Sequence, residues 1–323
     1  MCSKATSSTT DRPHRWRFGR ASGVTLIELV VVLTVLAIIA VVAAIALRDP
    51  IRGYVDSTRR AALTDTADTA LRRMGRDIRL ALPNSLRVTG TGPYYLELLL
   101  TKSGGRYRAQ GDGSGAGKPL DFSSADTCFD TLGPMSGLAG QAVAANDILV
   151  VQNLFSTPGV TTSNAYTYGQ AAYCGSTSSS NCNTTTISGT GASGGVCAGA
   201  ILSNETRIRF AARQFPMSSP GNRFQVVSGP VTYVCNANGG ALDASGNGTG
   251  TLTRVSSYSI QLAQPTGTFG TAAVLAQNVT ACDIQYTQLL LTQSYGLVSM
   301  RLAITRGNET VNLYHEVHVS NIP

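Results

Sequence analysis

The chain has 323 residues, 43% apolar and 13% charged, enough material for one large domain or two ordinary ones and too little charge for wholesale disorder. Its net charge of +7 gathers in residues 1–23 (five basic side chains against Asp11) and 48–87 (nine Arg against five Asp), while residues 88–323 carry eleven of each sign. A neutral bulk argues against a broad electrostatic footprint, so no nucleic-acid partner is expected.

Lys4, Arg12, Arg15, Arg17 and Arg20 precede a run of 19 uncharged residues, 29–47. As a helix this run spans roughly 28 Å, close to a bilayer core. Basic residues ahead of it put residues 1–23 in the cytoplasm and the remainder outside. A cleaved secretory signal is the competing reading, but the run is long and passes into a further helical pattern, so the segment is expected to be kept. That pattern is a stripe of Leu63, Ala67, Leu71, Met74, Ile78 and Leu82 at three- and four-residue steps. Arg59, Arg60, Arg72, Arg73, Arg76 and Arg79 occupy the rest, with Asp56–Arg60 and Asp68–Arg72 at i,i+4 spacing. Pro83 is expected to stop the helix, and Pro50 and Gly53 to kink it or melt a turn. The whole reads as one helix over residues 24–85.

Glu28 stands at the start of the apolar run, where a carboxylate calls for a partner. The stretch Arg20-Ala21-Ser22-Gly23-Val24-Thr25-Leu26-Ile27-Glu28-Leu29 resembles the processing site of type IV prepilins and pseudopilins. The resemblance implies a cut between Gly23 and Val24 by a prepilin peptidase/methyltransferase, N-methylation of Val24, and an assembly contact through Glu28. Family members usually begin with phenylalanine after the cut, and here the residue is Val24. Physically, a glycine lets a protease approach the backbone closely. Glu28 could pair with the Val24 amine of a neighbouring subunit as lipid contacts give way to helix contacts.

From residue 86 the chain reads as strands and loops. Candidate strands are 94–101, 147–155, 206–213, 223–228, 230–235, 251–260, 296–305 and 309–319, the last two flanking the hairpin signal Arg306-Gly307-Asn308. Ser/Thr/Gly/Asn-rich loops cover 103–118 and 156–200. Beyond Cys2, the six cysteines Cys128, Cys174, Cys182, Cys197, Cys235 and Cys282 fit up to three disulfides in an exported domain. Reduced, buried thiols are the other reading. Cys235 and Cys282, both near strands, are the pair the sequence favours, and zinc spacing is absent.

Residues 50–88, Ser219–Val227, Val231–Cys235 and His315–Val319 are similar to minor pilins of the mannose-sensitive haemagglutinin pilus, MshO type. That similarity implies a low-abundance subunit that primes or caps the filament without a catalytic role. Its partners would be other major and minor pilins and the inner-membrane assembly platform. It would sit as a single-pass inner-membrane protein, C-terminal domain in the periplasm, before reaching the pilus and cell surface.

Other chemistry is weak. Gly191-Ala192-Ser193-Gly194-Gly195 spells G-x-S-x-G but lies in a Gly/Ser/Thr loop without the required strand and helix. Gly113–Lys118 mimics a phosphate loop, yet Asp112 and Pro119 stand where Gly and Ser/Thr belong. His315 and His318 fall on opposite faces of a strand. No metal, calcium or other cofactor is expected, and no enzyme activity. The fold class expected is α+β: leader 1–23, helix 24–85 with a transmembrane part at 29–47, and an exported antiparallel β domain over 86–323. Two rivals stand beside the pilus subunit: a minor pseudopilin of a type II secretion system, and a membrane-anchored exported enzyme.

Overall fold

The computed structural model describes residues 23–323 except 136, 158, 176–181 and 289–294, and the side chains of Asp49 and Gln288. The basic leader, with Cys2 and His14, lies outside the described residues apart from Gly23. The chain divides into two compact units between Val55 and Asp56.

Helix α1 runs over Leu26–Arg79. Its residues Leu26 to Val55 are exposed throughout the described positions. The expected melted turn is not there: Pro50 and Gly53 are both helical. Proline removes one ladder donor, and the bonds of the turns on either side suffice to carry the helix through.

In the second unit, residues 56–79 of α1 put the predicted stripe to use. Leu63, Ala67, Leu71, Met74 and Ile78 are all buried. The helix ends at Arg79, four residues before Pro83, because the chain leaves it to join a strand. The Leu82 amide donates to the Leu99 carbonyl at 2.8 Å, and the Thr101 amide to Leu80 at 2.9 Å. Asp68 pairs with Arg72 at 2.6 Å as the spacing predicts. Arg60, however, turns to Glu309 instead of Asp56, and Arg59 takes Asp56 at 3.8 Å.

Among the described residues eleven strands follow: β1 (Arg87–Thr89), β2 (Tyr94–Arg106), β3 (Asp126–Asp130), β4 (Ile148–Val150), β5 (Thr184–Thr190), β6 (Arg207–Arg213), β7 (Arg223–Asn236), β8 (Gly250–Ser256), β9 (Thr271–Gln288), β10 (Tyr295–Arg306) and β11 (Glu309–Ser320). Their order is β11-β10-β9-β8-β7-β4-β5-β6-β3, with β2 on the other edge of β7 and β1 beyond it. All the strand pairs are antiparallel. Strand β7 organises this arrangement. One of its edges is covered by β2 from Arg223 to Cys235. The other is shared by β4 at Gln225–Val227 and β8 at Thr232–Asn236. Pro230 falls in the gap between them, where a missing N–H is tolerated; this is why one strand reads in the sequence as two, 223–228 and 230–235.

Three other readings change. The strand expected over 147–155 shrinks to Ile148–Val150. The loop expected over 156–200 contains β5, a four-residue helix α2 (Ala171–Cys174) and two 3₁₀ turns. Strand β9 was hidden by irregular pairing: register shifts at Gly250/Thr251 and Leu252/Thr253 on one side and Ala303/Ile304 on the other break the two-residue alternation.

The α1 stripe packs with residues of β2 and β7–β11 into one core. A second core gathers Tyr107, Phe129, Phe210, Phe215 and Phe224 around β3–β7. The α1 core admits a close approach at Gly75, where an added Cβ would lie 3.2 Å from His315 Nε2 and from Val317. The β10–β11 hairpin closes through Gly307 (φ 58°) and Asn308 (φ 63°), the two positive-φ positions of a tight primed turn.

Candidate functional site: the start of the apolar helix

Gly23, Val24 and Thr25 lie outside any helix or strand and are exposed. Helix α1 begins one residue later, and the sequence explains why. The Glu28 amide donates to Thr25 Oγ1 at 3.3 Å, and the Leu29 amide to the Thr25 carbonyl at 3.1 Å. Thr25 therefore caps the helix, satisfying a donor that the first turn would otherwise leave without a partner. Thr25-x-x-Glu28 ahead of an apolar run is the sequence signal of such a cap. The sequence reading singled out Glu28 and passed over Thr25. Glu28 itself lies in the first turn, where the positive end of the helix dipole favours a carboxylate. Behind it, Leu26, Ile27, Leu33, Ile38 and Ile45 are among many apolar side chains more than half exposed. Thr34, the hydroxyl in the run, donates back to the Val31 carbonyl at 2.9 Å and so leaves no unsatisfied polar group. Among the described residues one helix, α1, is long and apolar enough to cross a membrane.

The six cysteines beyond Cys2 lie elsewhere, in the second unit. Cys128 is joined to Cys197, Cys174 to Cys182, and Cys235 to Cys282, with Cα separations of 6.1, 5.1 and 6.3 Å. The last links β7 to β9.

The remaining sequence motifs are occupied by structural work. Ser193 is exposed; a strand, β5, does end three residues before it, but a three-residue 3₁₀ turn ending at the disulfide-bonded Cys197 stands where an elbow needs a helix. Lys118 is held by Asp126 at 3.1 Å, and its amide donates to Asp130 at 2.8 Å. His315 faces the α1 core beside Gly75, whereas His318 is exposed. Among the described residues no group of three or more His, Cys, Asp or Glu side chains is placed to hold a metal ion.

Buried polar groups mark where loops are pinned. Arg87 donates to Glu97 at 2.6 Å and to the carbonyls of Gln261 and Leu262, and stacks 3.6 Å over the Tyr166 ring. Burial raises the Glu97 carboxyl, and Arg87 opposes the shift. Arg207 grips Asp130 with two bonds of 2.7 Å and donates to the carbonyls of Cys197, Gly199 and Ala200. With every one of these groups paired inward, such networks serve the fold rather than a reaction.

No curated protein matches the chain, and no solved structure does either. Residues 19–44 match the family model of the prokaryotic N-terminal methylation motif. This motif implies processing by a prepilin peptidase, assembly with other pilins and anchoring in a membrane through the N-terminus, and with the apolar helix behind Gly23 it supports a type IV pilin-like or pseudopilin precursor.

Proposed function

We infer that the chain is a minor pilin-like structural subunit, cut after Gly23, N-methylated at Val24 and built into a type IV pilus of the mannose-sensitive haemagglutinin type to initiate or support its assembly. One coincidence carries this reading. The methylation motif covers residues 19–44, and the bond it would expose to a peptidase lies in the short exposed, non-helical stretch before the helix cap at Thr25. A protease needs room to approach the backbone, and Gly23 supplies it. The cut leaves a new amine at Val24, four residues from Glu28, so that a neighbouring subunit's carboxylate and amine can pair as α1 leaves the lipid. Its partners are the prepilin peptidase/methyltransferase, the other pilins and the inner-membrane assembly platform. The role is structural. Three disulfides in the second unit suit an oxidising compartment on the far side of the membrane from the basic leader.

Mass spectrometry of the mature protein from membrane fractions tests the reading directly. The expected product begins at Val24 with one added methyl group, and a mature chain beginning beyond about residue 40 would sink it, since a signal peptidase cuts after the apolar region. Deleting the gene should reduce surface pili and leave protein secretion intact; the reverse pattern would move the subunit to a type II secretion machine.

A further inference from the structure

Strand β9 is laddered unequally. β8 covers one edge from Thr271 to Val279. β10 joins the other edge only from Val279 onward. The other edge of Thr271–Asn278 has no further backbone hydrogen bond among the described residues. A groove of about 400 Å³ opens along this edge. Val274–Asn278, five consecutive residues, line it.

The opposite wall is α1, through Arg59 and Leu63, and Ile304 and Arg306 also border the groove. Leu63, Ala276 and Ile304 are buried and form an apolar floor. The rim is basic. Arg59 has Asp56 at 3.8 Å, an exposed and loose pair. Glu309, opposite Arg306 in the hairpin ladder, is drawn to Arg60. The groove's lining includes two guanidinium groups and no carboxylate.

Open backbone donors and acceptors, an apolar floor and a surplus of positive charge together describe a receptor for extended peptide. We propose that the open edge of β9 binds a short extended segment of a partner protein carrying acidic side chains, added as a strand beside Val274–Asn278 with its carboxylates on Arg59 and Arg306. Its volume falls within the range of built ligand sites. The two bulges on β9, at Leu275 and Asn278, limit the added strand to a few residues and leave the acidic contacts to set specificity. This goes beyond the assembly role of α1 and concerns a different surface.

The probe is an end-blocked octapeptide of alternating Val and Thr with two Asp at its centre, titrated onto the full chain in detergent micelles. Binding is read by fluorescence anisotropy and located by amide hydrogen exchange. Saturable binding with slowed exchange over 271–278 is expected. Replacing Asp with Lys should weaken it by about tenfold or more, and Arg306→Glu should reverse that preference. Methylating alternate peptide nitrogens should abolish the exchange protection, since a strand cannot be added without its donors. Equal binding of the Asp and Lys peptides, full binding of the N-methylated peptide, or competition by inorganic phosphate without protection of 271–278 would each overturn the proposal.

Discussion

The α1 core and the aromatic core, the two larger of three buried clusters in the second unit, are held by different means. The core behind α1 is backed by one long helix and strands of 7 to 18 residues, and one disulfide, Cys235–Cys282, crosses it. Among its polar ties, Asp77, partly buried, accepts from Tyr233 and Arg254 at 2.7 and 2.8 Å, Arg60 meets Glu309, and Arg87–Glu97 is buried beside β2. The aromatic core is framed by β3 to β6, strands of 3 to 7 residues joined by long loops. Two disulfides lie there, together with the buried pair Arg207–Asp130 and the partly buried pairs Arg108–Glu205 and Lys118–Asp126.

Ordering a loop residue costs about 1–2 kcal/mol of backbone entropy. A long helix recovers that cost by burying a continuous apolar face. Short strands between Gly-, Ser- and Thr-rich loops have no such face, so cross-links and buried charge pairs take its place. Where the sequence lacks periodicity, covalent and ionic ties carry the fold.

The strongest test removes an ionic tie. Arg207→Ala leaves Asp130 buried without its partner and frees three carbonyls, a loss of about 3–5 kcal/mol. Chemical denaturation should show this as an early transition, with hydrogen exchange rising over β3, β5 and β6 while β10 and β11 stay protected. A single shifted transition across both cores would erase the distinction. Nearly as large is loss of the covalent tie. Cys128→Ser with Cys197→Ser releases a span of 69 residues, worth roughly 4 kcal/mol of unfolded-state entropy. The 8-residue span between Cys174 and Cys182 should matter less, roughly 2.5 kcal/mol.

Met74→Ala sharpens the other side of the comparison. It opens a cavity under α1 at a cost of about 3 kcal/mol, and exchange should rise first over α1 and β9–β11. The smallest effect is a pH response in the aromatic core. Hydroxyl bonds from Ser124 and Ser123, and the Ser123 amide, lower the Asp121 carboxyl from 3.8 to about 2. A carboxyl depressed by folding stabilises above its unfolded value and loses that contribution as the pH falls toward its folded one. Asp121→Asn should therefore lower the urea midpoint slightly at neutral pH and hardly at all near pH 2. An equal change at both would assign the effect to the turn's geometry alone.

Much of this was legible before any coordinates. The apolar run, the stripe from Leu63 to Ile78 and the hairpin at Gly307–Asn308 all follow from local rules: hydropathy over a bilayer's length, a 3.6-residue period, a turn that demands positive φ. The methylation motif over residues 19–44 was legible for the same reason, except for the cap at Thr25, whose Thr-x-x-Glu spacing was there to be read.

What the sequence could not decide is everything that depends on partners distant in the chain. Strand β9 loses its alternation to bulges that its neighbours impose. Strand β3, bounded by Asp126 and Asp130, is absent from the candidate strands of the sequence, and in the fold Arg207 and Lys118 come from elsewhere to neutralise those carboxylates. The helix stops at Arg79 because Leu80 and Leu82 find backbone partners on β2, four residues before the proline that alone would have ended it. Local periodicity fixes which residues form a helix and which face it buries; only the assembled sheet supplies the long-range hydrogen bonds and charges that let a polar or irregular segment become a strand.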